Sequence, residues 1–98
     1  MSSTVYLRPE AQKDIEEAAF WYEKQRPGLG NEFLDEELAT IALITETPTL
    51  FPILRKNARR ALVKRFPFGL YYLNEQNRIV VFAVIHGSRH PNVWKGRT

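Results

Sequence analysis

The sequence predicts an α+β domain in which a pair of helices packs on one face of a sheet. The first half repeats apolar residues every three to four positions, whereas residues 58–85 alternate or run continuously apolar, as strands do. The element order is β-α-α-β-β-β, and short connections favour a largely antiparallel, four-stranded sheet whose other face stays open. The 98 residues suit a single domain, predicted over residues 1–98.

The predicted helices have clear boundary signals. A β-prone opening, Thr4–Leu7, is followed by a proline, which suits the first turn of a helix. Apolar spacing predicts a helix over Pro9–Gln25, and residues 27–30 read Pro-Gly-Leu-Gly, a strong turn. A second helix is predicted to end near Thr47 and Pro48. Because the connection is short, the two helices should pack as an antiparallel hairpin.

The second half is predicted to form consecutive strands. Residues 51–57 are expected to be a loop, and residues 58–66 alternate basic and apolar side chains until Pro67 ends the strand. Residues 68–73 form the next strand. Residues 78–85 are apolar on both faces, which predicts an interior position in the sheet.

The last strand should be followed by an irregular polar tail from residue 86 onward, because Pro91 disfavours regular structure. Trp94 is its one large apolar side chain, and it either pins the tail to the sheet or lines the open face.

Leu62 lies on the alternating strand over residues 58–66 and is expected to be buried there, so that Leu62→Asp would abolish the fold.

The charge is divided between the two halves. Residues 1–50 carry four basic and ten acidic side chains, a net −6, whereas residues 51–98 carry ten basic and one acidic, a net +9. This division predicts a positive surface for an acidic partner or a polyanion.

The chain has no cysteine, no apolar run long enough for a bilayer and no signal-peptide pattern at its start, so we expect a cytoplasmic protein without membrane association.

A basic cluster dominates the start of the second half. These side chains could bind phosphates or an acidic protein segment, or they could simply protect an edge strand from aggregation. The acidic residues that would balance an inert surface all lie in the other half, which favours a binding role. The cluster consists of Arg55, Lys56, Arg59, Arg60, Lys64 and Arg65.

Both histidines of the chain follow the last strand, at His86 and His90. His86 could move protons near neutral pH, and Arg89 could stabilise a negatively charged phosphorane or bind a carboxylate. Alternatively, His86 bonds to backbone and Arg89 pairs with a helix carboxylate. The two histidines do not form a credible metal site, and no cofactor is expected.

Two aromatic groups, residues 20–22 and residues 71–72, could stack on bases, but aromatic residues in so small a domain usually belong to the core. We therefore predict that both groups are buried.

Four fragments in this order and spacing resemble the ParE/RelE superfamily of type II toxins, also called plasmid stabilisation proteins. The resemblance extends over nearly the whole chain, and the fold of that superfamily is the β-α-α-β-β-β arrangement predicted above. The fragments are Ala11-x-x-Asp14-Ile15-x-x-Ala18-x-x-Trp21-Tyr22, Pro27-Gly28-Leu29-Gly30-x-x-Phe33, Arg60 through Arg65-Phe66-Pro67-Phe68-x-x-Tyr71-Tyr72, and Val81-x-Ala83-Val84-x-His86-Gly87-x-Arg89-x-Pro91.

The resemblance implies a bacterial toxin that is neutralised by a cognate antitoxin, whose C-terminal segment folds on binding. RelE-like members cleave mRNA on the ribosome, whereas ParE-like members inhibit DNA gyrase. The RelE pattern has a phosphate-binding arginine where this chain has Gly69, and its late tyrosine is absent, with Trp94 nearby. A ParE-like toxin that is not a nuclease is therefore implied.

Two alternatives remain open, a RelE-like ribosome-dependent endoribonuclease and a non-toxic homologue that only binds an antitoxin. A homodimer or a heterotetramer with antitoxin is compatible with the resemblance. The nuclease candidates are Arg60, Lys64, His86 and Arg89. The candidate contacts to a target or an antitoxin are Arg55, Lys56, Arg59, Arg60, Lys64, Arg65, Arg89 and Trp94.

Overall fold

In the computed structural model, two long helices pack on a five-stranded mixed sheet, and the structure describes residues 4–97. Residues 1–3 and 98, which belong to the predicted domain, lie outside the described residues. The strand order is β1-β5-β4-β3-β2, and only the β1–β5 pair is parallel. The elements are β1 Thr4–Leu7, α1 Pro9–Gln25, α2 Leu29–Glu46, β2 Ile53–Arg55, β3 Ala58–Leu62, β4 Phe68–Glu75, β5 Arg78–His86 and α3 Asn92–Lys95.

The predicted α+β architecture with its two helices is confirmed, but the number of strands is five instead of four. The additional strand, β2, lies within residues 51–57, which were expected to be a loop. All three of its residues are exposed, so no alternation of buried and exposed positions marks it in the sequence. It pairs with β3 across the tight turn at Lys56 and Asn57, at the outer edge of the sheet.

Strand β3 is shorter than predicted because the chain turns after Leu62. The backbone N–H of Val63 donates to the carbonyl of Phe68, and Arg65 adopts a left-handed φ of 70°, which no strand residue can have. Val63 and Phe66 nevertheless remain buried. The alternating pattern thus continues through a turn, which explains why the sequence suggested a longer strand.

The main core lies between the helix pair and one face of the sheet. Both helices contribute their apolar stripe, and β1, β3, β4 and β5 contribute alternate residues. Aromatic rings form its centre: Tyr22 lies 4.8 Å from Phe66 and 5.4 Å from Phe33, measured between ring centroids. The buried members are Ala11, Ile15, Ala18, Phe33, Ile44, Ala61, Val63, Phe66, Leu70, Tyr72, Ile79, Val81 and Val84.

The turn between the helices is fixed by Glu23. Its carboxylate accepts hydrogen bonds from the backbone N–H groups of Gly28 and Gly30, at 3.0–3.1 Å, and so caps the N-terminus of α2. A Cβ at residue 30 would lie 2.6 Å from the carbonyl oxygen of Ala19 in α1. Glycine at this position therefore permits the close approach of the two helices.

The opposite face of the sheet is partly covered by the C-terminal segment. Trp94 of α3 is buried and stacks on Tyr71, with ring centroids 4.8 Å apart and an interplanar angle of 18°. Ala58, Phe82, Ala83 and Ile85 are the other buried residues of this second cluster. The prediction of an irregular tail was wrong over residues 92–95, because a helix begins directly after Pro91, whose φ of −56° suits that position.

The outer edge of β5 is closed by side chains where β1 stops. Strand β1 pairs with residues 78–81 only, and beyond them the N–H of Val84 donates to a carboxylate oxygen of Asp14 at 3.0 Å. Arg97 pairs with the same carboxylate at 2.5 Å and donates to the carbonyl of Phe82 at 3.3 Å. This ion pair therefore takes the place of a further strand and ties α1, β5 and the C-terminal segment together.

Two expectations about burial were wrong. The side chain of Leu62 is 70% exposed, so it is not part of the core and Leu62→Asp should leave the fold intact. Phe20 and Trp21 are exposed on α1, because the apolar stripe of that helix passes through Ala18 and Tyr22 instead. Tyr22, Tyr71 and Tyr72 are packed in the two cores as predicted.

Within residues 4–97, none of the helices combines the length and apolarity needed to span a bilayer.

Candidate partner-binding surface

The predicted basic cluster separates into bound and free cations. Arg59 is half-buried, and its guanidinium donates to the carbonyls of Thr49 and Phe51, at 3.2 and 2.5 Å. It thereby holds the segment that connects α2 to β2. Since these bonds use its guanidinium internally, Arg59 has a structural role in addition to its charge.

Arg65 is also engaged, by acidic residues of α2. Its guanidinium lies 2.6 Å from the carboxylate of Glu32 and 3.5 Å from that of Glu36. The hydrogen bond from Arg65 lowers the pKa of Glu32, and the same bond raises the pKa of Arg65. The contact is exposed and contributes little to stability, but it neutralises this part of the basic surface.

The other four cations of the cluster, Arg55, Lys56, Arg60 and Lys64, have no hydrogen-bonding or ionic partner among residues 4–97. Arg55 and Lys56 lie at the β2–β3 turn, while Arg60 and Lys64 belong to β3 and the residues that follow it. We call these four side chains, along one side of the sheet, the basic edge. It is the most direct candidate for contact with an acidic molecule.

Gly69 allows Arg60 to lie flat across the neighbouring strand. A Cβ at residue 69 would lie 3.0 Å from Cδ and 3.3 Å from Cγ of Arg60, and 3.2 Å from the ring of Tyr71. The space in which a side chain at position 69 would begin is therefore occupied by the stem of Arg60. An arginine at residue 69 could not be accommodated without displacing Arg60.

His86 and Arg89 line a small polar cavity of about 170 Å³ at the end of β5, together with Asp14, Glu17 and Phe68. The Nδ1 atom of His86 lies 3.0 Å from the backbone N–H of Ser88 and 2.8 Å from its hydroxyl. The backbone-bonded alternative for His86 is thus the one observed. Arg89 is exposed and has no bonded partner among residues 4–97.

An apolar cleft of about 360 Å³ adjoins this polar cavity. Its walls are Ala18, Trp21 and Tyr22 of α1 together with Pro67, Phe68 and His86. Exposed aromatic rings beside such a cleft are typical of contacts with a partner protein. This cleft was not predicted from the sequence, although the offset of Trp21 from the stripe of Ala11, Ile15 and Ala18 was a signal for it.

The four nuclease candidates do not converge on one cavity. His86 and Arg89 share the polar cavity, Lys64 borders a different cleft beside α2, and Arg60 lies two strands away from β5. Two strand spacings amount to about 10 Å. Trp94, the remaining candidate contact, is 7% exposed, and its ring is used in packing on Tyr71.

Glu37 is a buried carboxyl group that was not predicted from the sequence. It is 3% exposed on the core side of α2, and within the described residues its Oε1 atom has no hydrogen-bond partner. Burial raises the pKa of Glu37 to about 7. Its spacing from Phe33 and Ile44, four and seven positions along the helix, could have identified it as a member of the apolar stripe.

Comparisons with known proteins assign the chain to a family. Residues 5–91 match the model of the family described as the ParE toxin of the type II toxin–antitoxin system parDE. A solved structure titled a chromosomal ParDE system from P. aeruginosa superposes with a TM-score of 0.77 at 10% identity, covering 87% of this chain and 96% of that one. No curated protein matches the sequence significantly. Since the family model spans most of the chain, the protein belongs to the ParE toxin family of type II toxin–antitoxin systems.

Proposed function

We propose that this toxin acts on DNA gyrase and is neutralised by an antitoxin whose acidic segment covers the basic edge. One observation carries the proposal: five of the ten basic residues in residues 51–98 lack hydrogen-bonding and ionic partners among the described residues, namely Arg55, Lys56, Arg60, Lys64 and Arg89. Arg60 and Lys64 present this charge beside an open sheet edge, and Arg89 presents it beside the polar cavity. Such a surface attracts an acidic protein segment over long range.

The same geometry argues against a ribosome-dependent endoribonuclease. Phosphate cleavage needs proton-transferring groups and phosphorane-stabilising cations arranged around one phosphate. The arginine of the RelE pattern is replaced by Gly69, and the stem of Arg60 fills the adjoining space. The late tyrosine of that pattern is absent, and the indole of Trp94, which is nearby in the sequence, is buried.

In a supercoiling assay, the purified protein should inhibit gyrase, and translated mRNA from induced cells should remain uncut in primer extension. Arg60→Ala, Lys64→Ala and Arg89→Ala should each reduce toxicity while the circular dichroism spectrum remains that of a folded domain. Lys64 and Arg89 are exposed, and substitutions of exposed charges usually alter stability by no more than about 0.5 kcal/mol. Arg60 is half-buried, so its substitution also removes the packing of its stem over Gly69. The matched control is Lys13→Ala, which removes an exposed cation from α1. Codon-positioned cuts that disappear in His86→Ala would instead establish the nuclease.

A second expectation concerns the antitoxin. The product of an adjacent reading frame should co-purify with the toxin, and complex formation should weaken between 0.05 and 0.5 M NaCl, roughly the range over which screening of exposed charges becomes strong. An affinity that does not change with salt would contradict an acidic contact to the basic edge. If the protein causes no growth arrest when it is induced alone, it is the non-toxic homologue that only binds an antitoxin.

A further inference from the structure

The polar cavity and the apolar cleft beside α1 share part of their walls. The cavity of about 170 Å³ and the cleft of about 360 Å³ are both lined by Ala18, Phe68 and His86. The two therefore form one elongated hollow between α1 and the end of β5, and its size suits a small molecule. We call it the α1–β5 hollow. One of its ends is charged and the other is aromatic.

The charged end contains two side chains of opposite sign that have no partner. Glu17 and Arg89 both line it and are exposed, and neither forms a hydrogen bond or an ion pair within the part of the chain that the structure describes. The carboxylate of Asp14 also lines this end, but it is already bound by Arg97 and by the N–H of Val84. One negative and one positive charge are therefore available to a ligand.

His86 adds a hydrogen-bond donor to the same end. The backbone N–H of Ser88 can only donate, and its nitrogen lies 3.0 Å from Nδ1 of His86. Nδ1 is therefore an acceptor, so the neutral ring carries its proton on Nε2. None of the described residues forms a hydrogen bond with Nε2. Nε2 and the guanidinium of Arg89 are thus two free donors, and a carboxylate is the group that accepts from both.

The aromatic end is suited to a ring. Trp21 and Tyr22 of α1 and Phe68 of β4 form its walls, and Trp21 is 57% exposed. A ring placed there would cover apolar surface that is now in water. It would also make the offset or edge-to-face contacts that aromatic pairs prefer.

We propose that the α1–β5 hollow binds a free α-amino acid with an aromatic side chain. The ligand carboxylate accepts from Arg89 and His86, and the ligand ammonium group donates to Glu17. The ring of the ligand lies against Trp21. A peptide does not fit this arrangement, because its ammonium and carboxylate groups are at opposite ends of its chain. The inference goes beyond the proposed function and needs neither gyrase nor an antitoxin.

Titration of the full-length, ¹⁵N-labelled protein with L-phenylalanine, followed by NMR, tests the proposal. The indole N–H of Trp21 and the backbone N–H of Arg89 should shift and saturate with a Kd of about 1 mM, a value expected for so small a ligand. The indole N–H of Trp94, which is buried in the second cluster, is the internal control and should not shift. Shifts that do not saturate, or that affect both indoles equally, would overturn the inference.

Three analogues each lack one of the recognised groups. N-acetyl-L-phenylalanine has no ammonium group, L-phenylalanine amide has no carboxylate, and L-alanine has no ring. Each should bind about tenfold or more weakly than L-phenylalanine, because one part of the site is left without its partner. If any of the three binds as tightly as L-phenylalanine, the hollow does not recognise an aromatic amino acid as a whole, and the proposal is wrong.

Substitutions assign each charge of the site to one group of the ligand. Glu17→Gln should weaken binding of L-phenylalanine by about tenfold without weakening that of the N-acetyl compound, which has no ammonium group to lose a partner. Arg89→Gln should likewise weaken L-phenylalanine and leave the amide unaffected. Glu16→Gln, which removes an exposed carboxylate outside both cavities, is the matched control. Equal losses for L-phenylalanine and its analogue would contradict the assignment.

The alternative occupant of the aromatic end is a second copy of the chain. If the indole N–H of Trp21 shifts when the free protein is diluted, the cleft pairs with that copy, and the proposal is overturned. Gyrase inhibition and growth arrest are measured separately from the titration. A toxic protein that does not bind L-phenylalanine would therefore refute this inference alone.

Discussion

Asp14→Ala should destabilise the domain by about 3–5 kcal/mol, a large part of the roughly 5–15 kcal/mol expected for a chain of this size. The substitution leaves the guanidinium of Arg97 without its partner at 2.5 Å and the N–H of Val84 without its acceptor at 3.0 Å. Both groups are poorly accessible to water, because the side chain of Arg97 is only 24% exposed and Val84 is 2% exposed. Urea unfolding followed by circular dichroism measures the loss.

Matched variants identify which of the two bonds of Asp14 contributes more to the free energy of unfolding. Arg97→Ala should cost less than Asp14→Ala, because Asp14 still accepts from Val84. Asp14→Asn retains an acceptor oxygen for that N–H and should also lose less. Asp35→Ala, which removes an exposed carboxylate from α2, serves as the control. A change below about 1 kcal/mol in Asp14→Ala would contradict a structural role for the ion pair.

The second large effect is a dependence of stability on pH that originates in Glu37. The folded pKa of about 7 exceeds the ordinary value of 4.5, so the folded state binds the proton more tightly than the unfolded state. As pH rises from about 4.5 to 7, this group therefore lowers the free energy of unfolding, by a total of about 3 kcal/mol, and above pH 7 its effect is constant.

Glu37→Gln removes the titration and should make the protein more stable than wild type at pH 8, with little difference at pH 4.5. Urea unfolding at pH 4.5, 6, 7 and 8 measures both variants, and Asp35→Asn is the matched control on the same helix. The uncharged amide also avoids placing a carboxylate beside the apolar residues of the core. Parallel curves for wild type and Glu37→Gln would show that Glu37 does not set the pH dependence.

The helices and the interior strand were predictable because their signals are local and periodic. Helix α1 begins at a proline and repeats its apolar residues at helical spacing, and β5 is apolar on both faces. Strand β2 gave no such signal, because an exposed edge strand buries neither face. The end of β3 was hidden as well, since burial of Val63 and Phe66 continues the alternation through a turn.

The candidate surface was predictable in composition but not in geometry. The sequence identifies the cations of the basic cluster, yet only the fold shows that Arg59 and Arg65 are bound internally while Arg60 and Lys64 are free. Likewise, the position of Trp94 depends on a tertiary contact with Tyr71 that no local pattern encodes. Pairings between residues far apart in the sequence are what single-sequence reasoning lacks.

The tie between Asp14 and Arg97 also affects how the chain is made. The two residues are 83 positions apart, and β1 likewise needs β5 as its neighbour. At the usual 5–20 residues per second, a ribosome needs about 4–17 s to advance from one to the other. During that interval α1 and α2 can form, because their contacts are local, but the sheet that covers their apolar stripe is incomplete. The nascent toxin therefore exposes its main core for seconds and completes this surface only after Arg97 has been added.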